Sequence, residues 1–172
     1  MDTILAELTA LFANLPADII PNAVHTLCKH DRIFVYAAGR SGLMLKAFAM
    51  RLAQIGKTVY VVGETVTPAL EQGDLLVLAS ASGTTQSVCR YAQIANTIGA
   101  DLLVISANVN TPLSQIHAVD ILLPASSKNI AAGSTQIMGS LFEQALLLLC
   151  DGIIAAYPCD RAQMRGRHAN LE

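Results

Sequence analysis

Five short apolar runs, none of them alternating with polar residues, constrain this chain more than any other feature. They are RIFVYAA (32–38), TVYVV (58–62), DLLVLA (74–79), DLLVI (101–105) and DILL (120–123). A strand wetted on one face alternates apolar and polar side chains, and a strand covered on both faces does not, so these runs predict strands buried between two layers. Helical periodicity fills the gaps. Leu45, Phe48, Ala49, Leu52 and Ile55 mark one face of a helix within 43–55 that stops at Gly56; Val88, Tyr91, Ala92, Ala95 and Ile98 mark another before Gly99. Strands alternating with helices imply a five-stranded parallel sheet with right-handed crossovers, hence a three-layer, doubly wound α/β domain.

At 172 residues the chain has the length of one ordinary domain, and no linker or repeat divides it. Residues 1–31 read as two amphipathic helices, marked by Ile4, Leu5, Leu8, Leu11 and Phe12 and then by Ile19, Ile20, Val24 and Leu27, with Asp18 as cap and Pro21 in the first turn of the second. Residues 32–157 form the α/β core, closing with a long helix from Thr135 to Tyr157, and 158–172 are a polar tail.

Hydrophobic residues make up 53% and charged residues 14%, with a mean hydropathy of +0.47. So apolar a chain needs either a sheet covered on both faces or surface buried against other subunits. The greasiest stretch, ALLLLCDGIIAAY (145–157), is interrupted by Asp151 and is expected to fall short of the ~20 apolar residues a bilayer requires. The N-terminus has acidic Asp2 and Glu7 and no signal-peptide pattern, so the expected location is the cytoplasm. Cys28, Cys89, Cys150 and Cys159 form no CxxC pair, which argues against zinc or a redox dithiol. A net charge of −2 and a pI near 6.0 argue against a nucleic-acid partner. A small molecule is the better-fitting ligand.

The apolar run ending at Ala79 gives way to Ser80, Ala81, Ser82, Gly83, Thr84 and Thr85, and then to a helical pattern. In open α/β sheets ligands bind beyond the carboxyl ends of the strands. A helix N-terminus there offers unpaired N–H groups and partial positive charge, hydroxyls add donors, and Gly83 lets backbone approach closely, which suits a phosphate monoester. The plainer alternative is an ordinary Ser/Thr cap. One cap accounts for one hydroxyl, and four stand here. No G-x-x-x-x-G-K-[ST] occurs, which excludes a P-loop. A second strand-to-helix turn, AAGRSG (37–42), reads either as an imperfect dinucleotide fingerprint, with Ala37 replacing the first glycine and Glu64 as ribose partner, or as a sugar-binding turn offering Ser41 and Arg40. A tight glycine turn with a solvated Arg40 remains open.

Together the two loops resemble the sugar isomerase (SIS) domain family, whose phosphosugar loop reads Ser-x-Ser-Gly-x-Thr. AGRSG (38–42) with KAFAMRL (46–52), VYVVGETVTP (59–68), GSLFE (139–143) and the closing RHANLE (167–172) narrow the resemblance to the 6-phospho-3-hexuloisomerases. The loop departs from the usual pattern at Ala81 and Thr84, commonly Gly and Glu, and Gln163 stands where an acidic residue is common. The resemblance implies a flavodoxin-like or Rossmann-like sheet, no metal or organic cofactor, and a homotetramer with active sites at subunit interfaces. It implies interconversion of 3-hexulose 6-phosphate and fructose 6-phosphate through a cis-enediol, in the ribulose monophosphate pathway. Ser80, Ser82 and Thr85 would hold the phosphate with Gly83, and Ser41 and Arg40 would contact the sugar phosphate.

Such chemistry needs a base on one face of the enediol. Glu143 is the candidate, because Leu141, Phe142 and Leu146 would desolvate it and raise its pKa; a solvated helix carboxylate is the alternative. His168 is the second candidate, for moving protons between oxygens or opening a cyclic substrate, in trans from a neighbouring subunit's tail. Arg167 pairs with Glu172 or with substrate. Glu64 and Thr67 are placed at the pocket mouth or on a plain surface loop. His25, His30 and His117 read as surface or packing residues, and Asp151 as a polar helix contact or interface group. The rival functions are another SIS isomerase, for arabinose 5-phosphate or a heptose phosphate, and a non-catalytic phosphosugar sensor; RHANLE speaks against the first and the absence of a helix-turn-helix segment against the second.

Overall fold

The computed structural model describes residues 1–125 and 134–170. Five strands form: β1 (Arg32–Ala37), β2 (Thr58–Val61), β3 (Leu75–Ser80), β4 (Asp101–Ser106) and β5 (Ile121–Leu122). All neighbours pair in parallel, in the order β2-β1-β3-β4-β5. The chain thus builds outward from β1 to β2, then reverses across β1 to β3. At that reversal the connections leave to opposite sides and open a crevice beyond the carboxyl ends of β1 and β3.

The continuous apolar runs are explained by cover on both faces. Ile33, Val35, Leu75, Val77, Leu103 and Ile105 point into one cluster, which also contains Leu27 of α2 (Ile19–Lys29), Phe48 and Leu52 of α3 (Gly39–Gln54), and Phe142, Leu146 and Leu149 of α6 (Ser140–Ala156). Their neighbours Phe34, Leu76, Leu78, Leu102 and Val104 point the other way. They meet Val88, Ala92 and Ala95 of α4 (Gln86–Ile98) and Leu113 of α5 (Pro112–Ile116). Each fully buried Leu, Ile or Phe contributes roughly 1.5–3 kcal/mol relative to exposure. Outside this sandwich α1 (Asp2–Ala13) lies on α6.

Local chemistry departs from the sequence expectation in particular places. The long helix does not begin at Thr135. Met138 (φ 58°) and Gly139 (φ 81°) adopt left-handed backbone and end a short 3-10 turn at Ile137–Gly139, so α6 starts at Ser140. From Ile137 to Ala156 the segment nevertheless runs 20 residues and is apolar enough to cross a bilayer by length and composition, correcting the expected shortfall. Half of it is buried inside the protein, against α1, α2 and α3, as a core helix requires. Within the polar tail Asp160 caps a helix, α7 (Arg161–Gly166), by accepting from the Ala162 N–H at 2.8 Å. Asp18 does stand at the start of α2, but its carboxylate accepts from the Asn22 side chain at 3.1 Å rather than from a backbone N–H.

Strand β5 is shorter than its apolar run, and at its amino end the Asp120 carboxylate takes the Val104 N–H at 2.7 Å, a place a backbone carbonyl would fill. His30 is a packing residue. It is buried, its Nδ1–H donates to the Gly73 carbonyl at 2.9 Å and its Nε2 lies 3.2 Å from Asp101, so it ties the amino end of the sheet together. His25 is exposed and His117 pairs with Asp120 at 3.3 Å. Burial pushes the Cys150 thiol well above its usual range, as befits an inert core residue.

Candidate active site at the carboxyl ends of β1 and β3

At the crevice a cavity of about 240 Å³ is lined by the turn after β1 (Ala38, Gly39, Arg40, Ser41), the loop after β3 (Ser80, Ala81, Ser82, Thr85) and the start of α6 (Met138, Gly139, Phe142, Glu143). A larger groove of about 570 Å³ runs between α2 and the β5 edge, but it lies off the carboxyl ends of β1 and β3 and lacks the paired hydroxyl loops. The smaller cavity gathers the candidate residues of both loops and of α6.

The loop after β3 is wound so that its hydroxyls face one another. Ser80 Oγ, nearly buried, lies 3.1 Å from Thr85 Oγ1 and accepts from the Gly83 N–H at 3.1 Å. Ser82 Oγ accepts from the Thr84 N–H at 3.2 Å and from Thr84 Oγ1 at 3.0 Å. Gly83 has φ 65°, a left-handed backbone that side chains resist, and a Cβ there would lie 2.7 Å from Cβ and Cγ2 of Thr111. Thr85 holds the N-cap position of α4, yet its side chain makes no capping bond. An ordinary cap would spend that hydroxyl on the helix. Here it stays with Ser80, which favours the anion-site reading.

The turn after β1 works differently. A Cβ on Gly42 would collide with the Ala37 carbonyl, so glycine allows α3 to pack tightly on its own strand, which explains the partial likeness to a dinucleotide fingerprint. The ribose partner that reading requires is missing, because Glu64 is exposed and paired with Lys46 at 2.7 Å. Thr67 donates to the Val61 carbonyl at 2.7 Å. Neither lines the cavity between β1 and β3; Glu64 lines a separate cavity with Ala37, Gly42 and Lys46.

Glu143 and Arg40 meet here across 103 residues of sequence. Arg40 Nε donates to Glu143 Oε2 at 2.6 Å, with the Glu143 side chain 10% exposed and the Arg40 side chain 66% exposed. The sequence expected an apolar pocket around the carboxyl group, and Leu141, Phe142 and Leu146 are indeed buried beside it, but the guanidinium as its partner was not foreseen. Among the described residues these two are the only charged ones lining the cavity. The bond uses Nε, which leaves the outer NH₂ groups of this exposed side chain as further donors.

The other candidates lie apart. His168 follows α7, is exposed, and contacts the Ala169 carbonyl through Nδ1 at 3.1 Å; it does not line the cavity. Arg167 folds back on Gly56 and donates to the Gln54 carbonyl at 3.3 Å and to Gln163 at 3.4 Å. It does not line the cavity, and its expected partner Glu172 lies outside the described residues. Asp151 is exposed on α6. Met138, which also lines the cavity, escaped the sequence reading, whereas Gly139 and Phe142 entered it only as part of GSLFE and as an apolar neighbour of Glu143; the left-handed pair ahead of α6 that places them has only Gly139 as a local signal. Among the described residues no group of three or more His, Cys, Asp or Glu side chains converges as a metal site would need.

Residues 26–148 match the SIS domain family. A 3-hexulose-6-phosphate isomerase of Bacillus subtilis is 40% identical over 170 residues, covering 95% of this chain and 90% of that protein. One from Mycobacterium gastri is 38% identical, covering 93% and 85%. The crystal structure of a Methanococcus jannaschii protein, for which a function of 3-hexulose-6-phosphate isomerase was inferred, superposes with a TM-score of 0.85 at 30% identity, covering 99% of this chain and 98% of that one.

Proposed function

The chain belongs to the SIS domain family, and from that premise we propose that it is a 3-hexulose-6-phosphate isomerase working through the cavity at β1 and β3. It is an isomerase, and its substrate is a sugar phosphate. One observation carries the reading: an anion-shaped loop of hydroxyls and the buried Glu143 carboxylate line one cavity. The first suits the phosphate at one end of a hexulose, the second the carbons at the other.

In the proposed reaction the phosphate settles against Ser80, Ser82, Thr85 and the N-terminus of α4, with close backbone approach at Gly83. Ser41 and the outer NH₂ groups of Arg40 face the sugar phosphate from the opposite wall. Glu143 takes the proton from C2 of 3-hexulose 6-phosphate, giving a cis-enediol, and returns it to C3 while the carbonyl appears at C2. One carboxylate serves both carbons because they lie side by side on one face of the enediol. Arg40 fixes the carboxylate's orientation through Oε2. No step needs a cofactor, because the carbonyl itself stabilises the developing charge.

A cavity of about 240 Å³ is smaller than the ~300–1,000 Å³ common for small-molecule sites. That supports a site completed by a second copy, with His168 reaching in from a neighbouring subunit to move the proton between oxygens. Exposed Leu43, Met50, Val66, Ile137, Met138 and Leu148 offer apolar area for assembly as a homotetramer. On this reading 1–172 act as one domain, the tail beyond 157 serves the site of another protomer, and the enzyme works in the cytoplasm within the ribulose monophosphate pathway.

The test is purified protein supplied with 3-hexulose 6-phosphate, fructose 6-phosphate being followed by a coupled assay, beside Glu143→Gln. Conversion by the wild type and its loss in the variant are the expected results. An equally active Glu143→Gln protein would remove that residue from its role, and a wild type inactive on this substrate would remove the reaction.

A further inference from the structure

A backbone loop carries as many carbonyl oxygens as N–H groups, and only the N–H groups suit a dianion. Unless the carbonyls are turned away and engaged, their partial negative charge offsets much of what the N–H groups and hydroxyls contribute. In the loop after β3 three of them are engaged from behind. Ser106 Oγ donates to the Ser80 carbonyl at 2.8 Å, Asn108 Nδ2 donates to the Ala81 carbonyl at 2.8 Å, and the Leu113 N–H donates to the Gly83 carbonyl at 3.0 Å.

The three donors follow one another from the last residue of β4 (Ser106) through its connection (Asn108) to the first turn of α5 (Leu113), and the register explains why. Ser80 and Ser106 are Cα partners at the ends of β3 and β4, so the chain leaving β4 runs directly behind the loop leaving β3. Ser106 is fully buried, and its hydroxyl also accepts from the Asn108 N–H at 3.2 Å, which links the two side chains into one chain of bonds. The N–H groups of Gly83 and Thr84 meanwhile donate to the Ser80 and Ser82 hydroxyls, contacts an incoming anion can replace without disturbing the backbone. Neither Ser106 nor Asn108 lines the cavity.

We infer that Ser106 and Asn108 are positioning residues that give the loop its donor-only face, and so set affinity for the phosphate group without touching it. The inference rests on the reading of this loop as the phosphate site. Their effect falls on binding, which substrate and inorganic phosphate share, and not on proton transfer at the far end of the cavity.

The experiment compares Ser106→Ala, Asn108→Leu and, as a control on the phosphate site itself, Ser82→Ala. Steady-state kinetics give kcat and KM, inorganic phosphate as competitor gives Ki, and thermal unfolding reports integrity. In Ser106→Ala and Asn108→Leu, KM and the phosphate Ki are expected to rise together by about tenfold, the loss when one carbonyl is released toward an anion. Over the same series kcat holds within about threefold. Asn108 is half-buried at the surface, so it keeps the test open if the buried Ser106 position proves intolerant. If Ser82→Ala weakens phosphate while both other variants keep wild-type KM and Ki, or lose kcat with KM unchanged, the positioning role is overturned and the phosphate site stands. If inorganic phosphate fails to compete with substrate in the wild type, the phosphate site falls and the inference with it.

Discussion

Replacing Gly83 with alanine tests the loop's geometry at its tightest point. The backbone there has φ 65°, and alanine resists left-handed geometry by about 1–2 kcal/mol. The new Cβ would also stand 2.7 Å from Cβ and Cγ2 of Thr111, where carbon atoms prefer about 3.5–4.0 Å. Something must move by about 1 Å. Thr111 is poorly placed to yield: its hydroxyl caps α5 by accepting from the Ser114 N–H at 3.2 Å, its own N–H donates to Ser114 Oγ at 2.9 Å, and the Leu113 N–H holds the Gly83 carbonyl. Overpacking of this kind costs about 1–3 kcal/mol, so the whole change destabilises by about 2–5 kcal/mol. For a chain of this length that lowers Tm by about 4–20 °C.

If the loop shifts instead, the strain disappears from the stability measurement and reappears as displaced phosphate donors, where a 1 Å error can cost about 10²-fold. Denaturant unfolding at constant m, together with the Ki for inorganic phosphate, captures both routes. A second substitution separates the terms. Thr111→Ala removes the hydroxyl and Cγ2, two of the three close neighbours, at the expense of the α5 cap, worth about 1 kcal/mol. The double variant is therefore expected to be less damaged than the two single losses added together, by more than the ~0.5 kcal/mol within which independent sites add. Strict additivity, or a Gly83→Ala protein with wild-type midpoint and wild-type Ki, refutes the argument.

Glu143→Gln is expected to lower kcat by at least about 10²-fold while phosphate affinity holds or tightens, because Arg40 loses its carboxylate partner; a weaker phosphate Ki would contradict the division of the cavity into two ends. His168→Ala is expected to be inactive alone but to regain activity when mixed assemblies are formed with Glu143→Gln, since some sites then combine an intact carboxylate with an intact imidazole; absence of recovery in verified mixed assemblies would put His168 in its own chain's site or in none. Glu7 accepts from the Thr135 N–H at 2.8 Å and from the side chains of Ser134, Thr135 and Gln136, and these bonds, the backbone one foremost, hold its carboxyl down to about 2. A depressed carboxylate stabilises the fold above its unfolded pKa and loses that contribution as pH falls through the folded one. Glu7→Gln is therefore expected to be less stable than wild type at pH 7, with the gap narrowing from about pH 4.5 toward pH 2, as denaturant titrations across that range would show; a gap independent of pH would mean that the charge is not what the segment before α6 uses.

What the sequence disclosed and what it concealed follow from how far apart the cooperating groups lie. Strands β1, β3 and β4 were legible because cover on both faces removes polar alternation from five or six consecutive residues, a purely local mark. The hydroxyl loop was legible for the same reason, since Ser80 to Thr85 are neighbours in the chain and in space. The Arg40–Glu143 pair was not, because nothing near either residue encodes the other; the reversal between β1 and β3 and the passage of α6 across that face bring them together. The start of α6 was misplaced because Met138 favours helix by its own chemistry and takes φ 58° only in its tertiary setting. Gly83 could be recognised as a loop glycine from sequence, but its need becomes specific only once Thr111, from the segment behind it, occupies the space a side chain would fill. His168 extends the same reasoning by one step. Among the described residues of its own chain the ring bonds a single neighbouring carbonyl, and on the proposed reading, in which its work is done in a second copy, the motif has no partner in the protomer to reveal it.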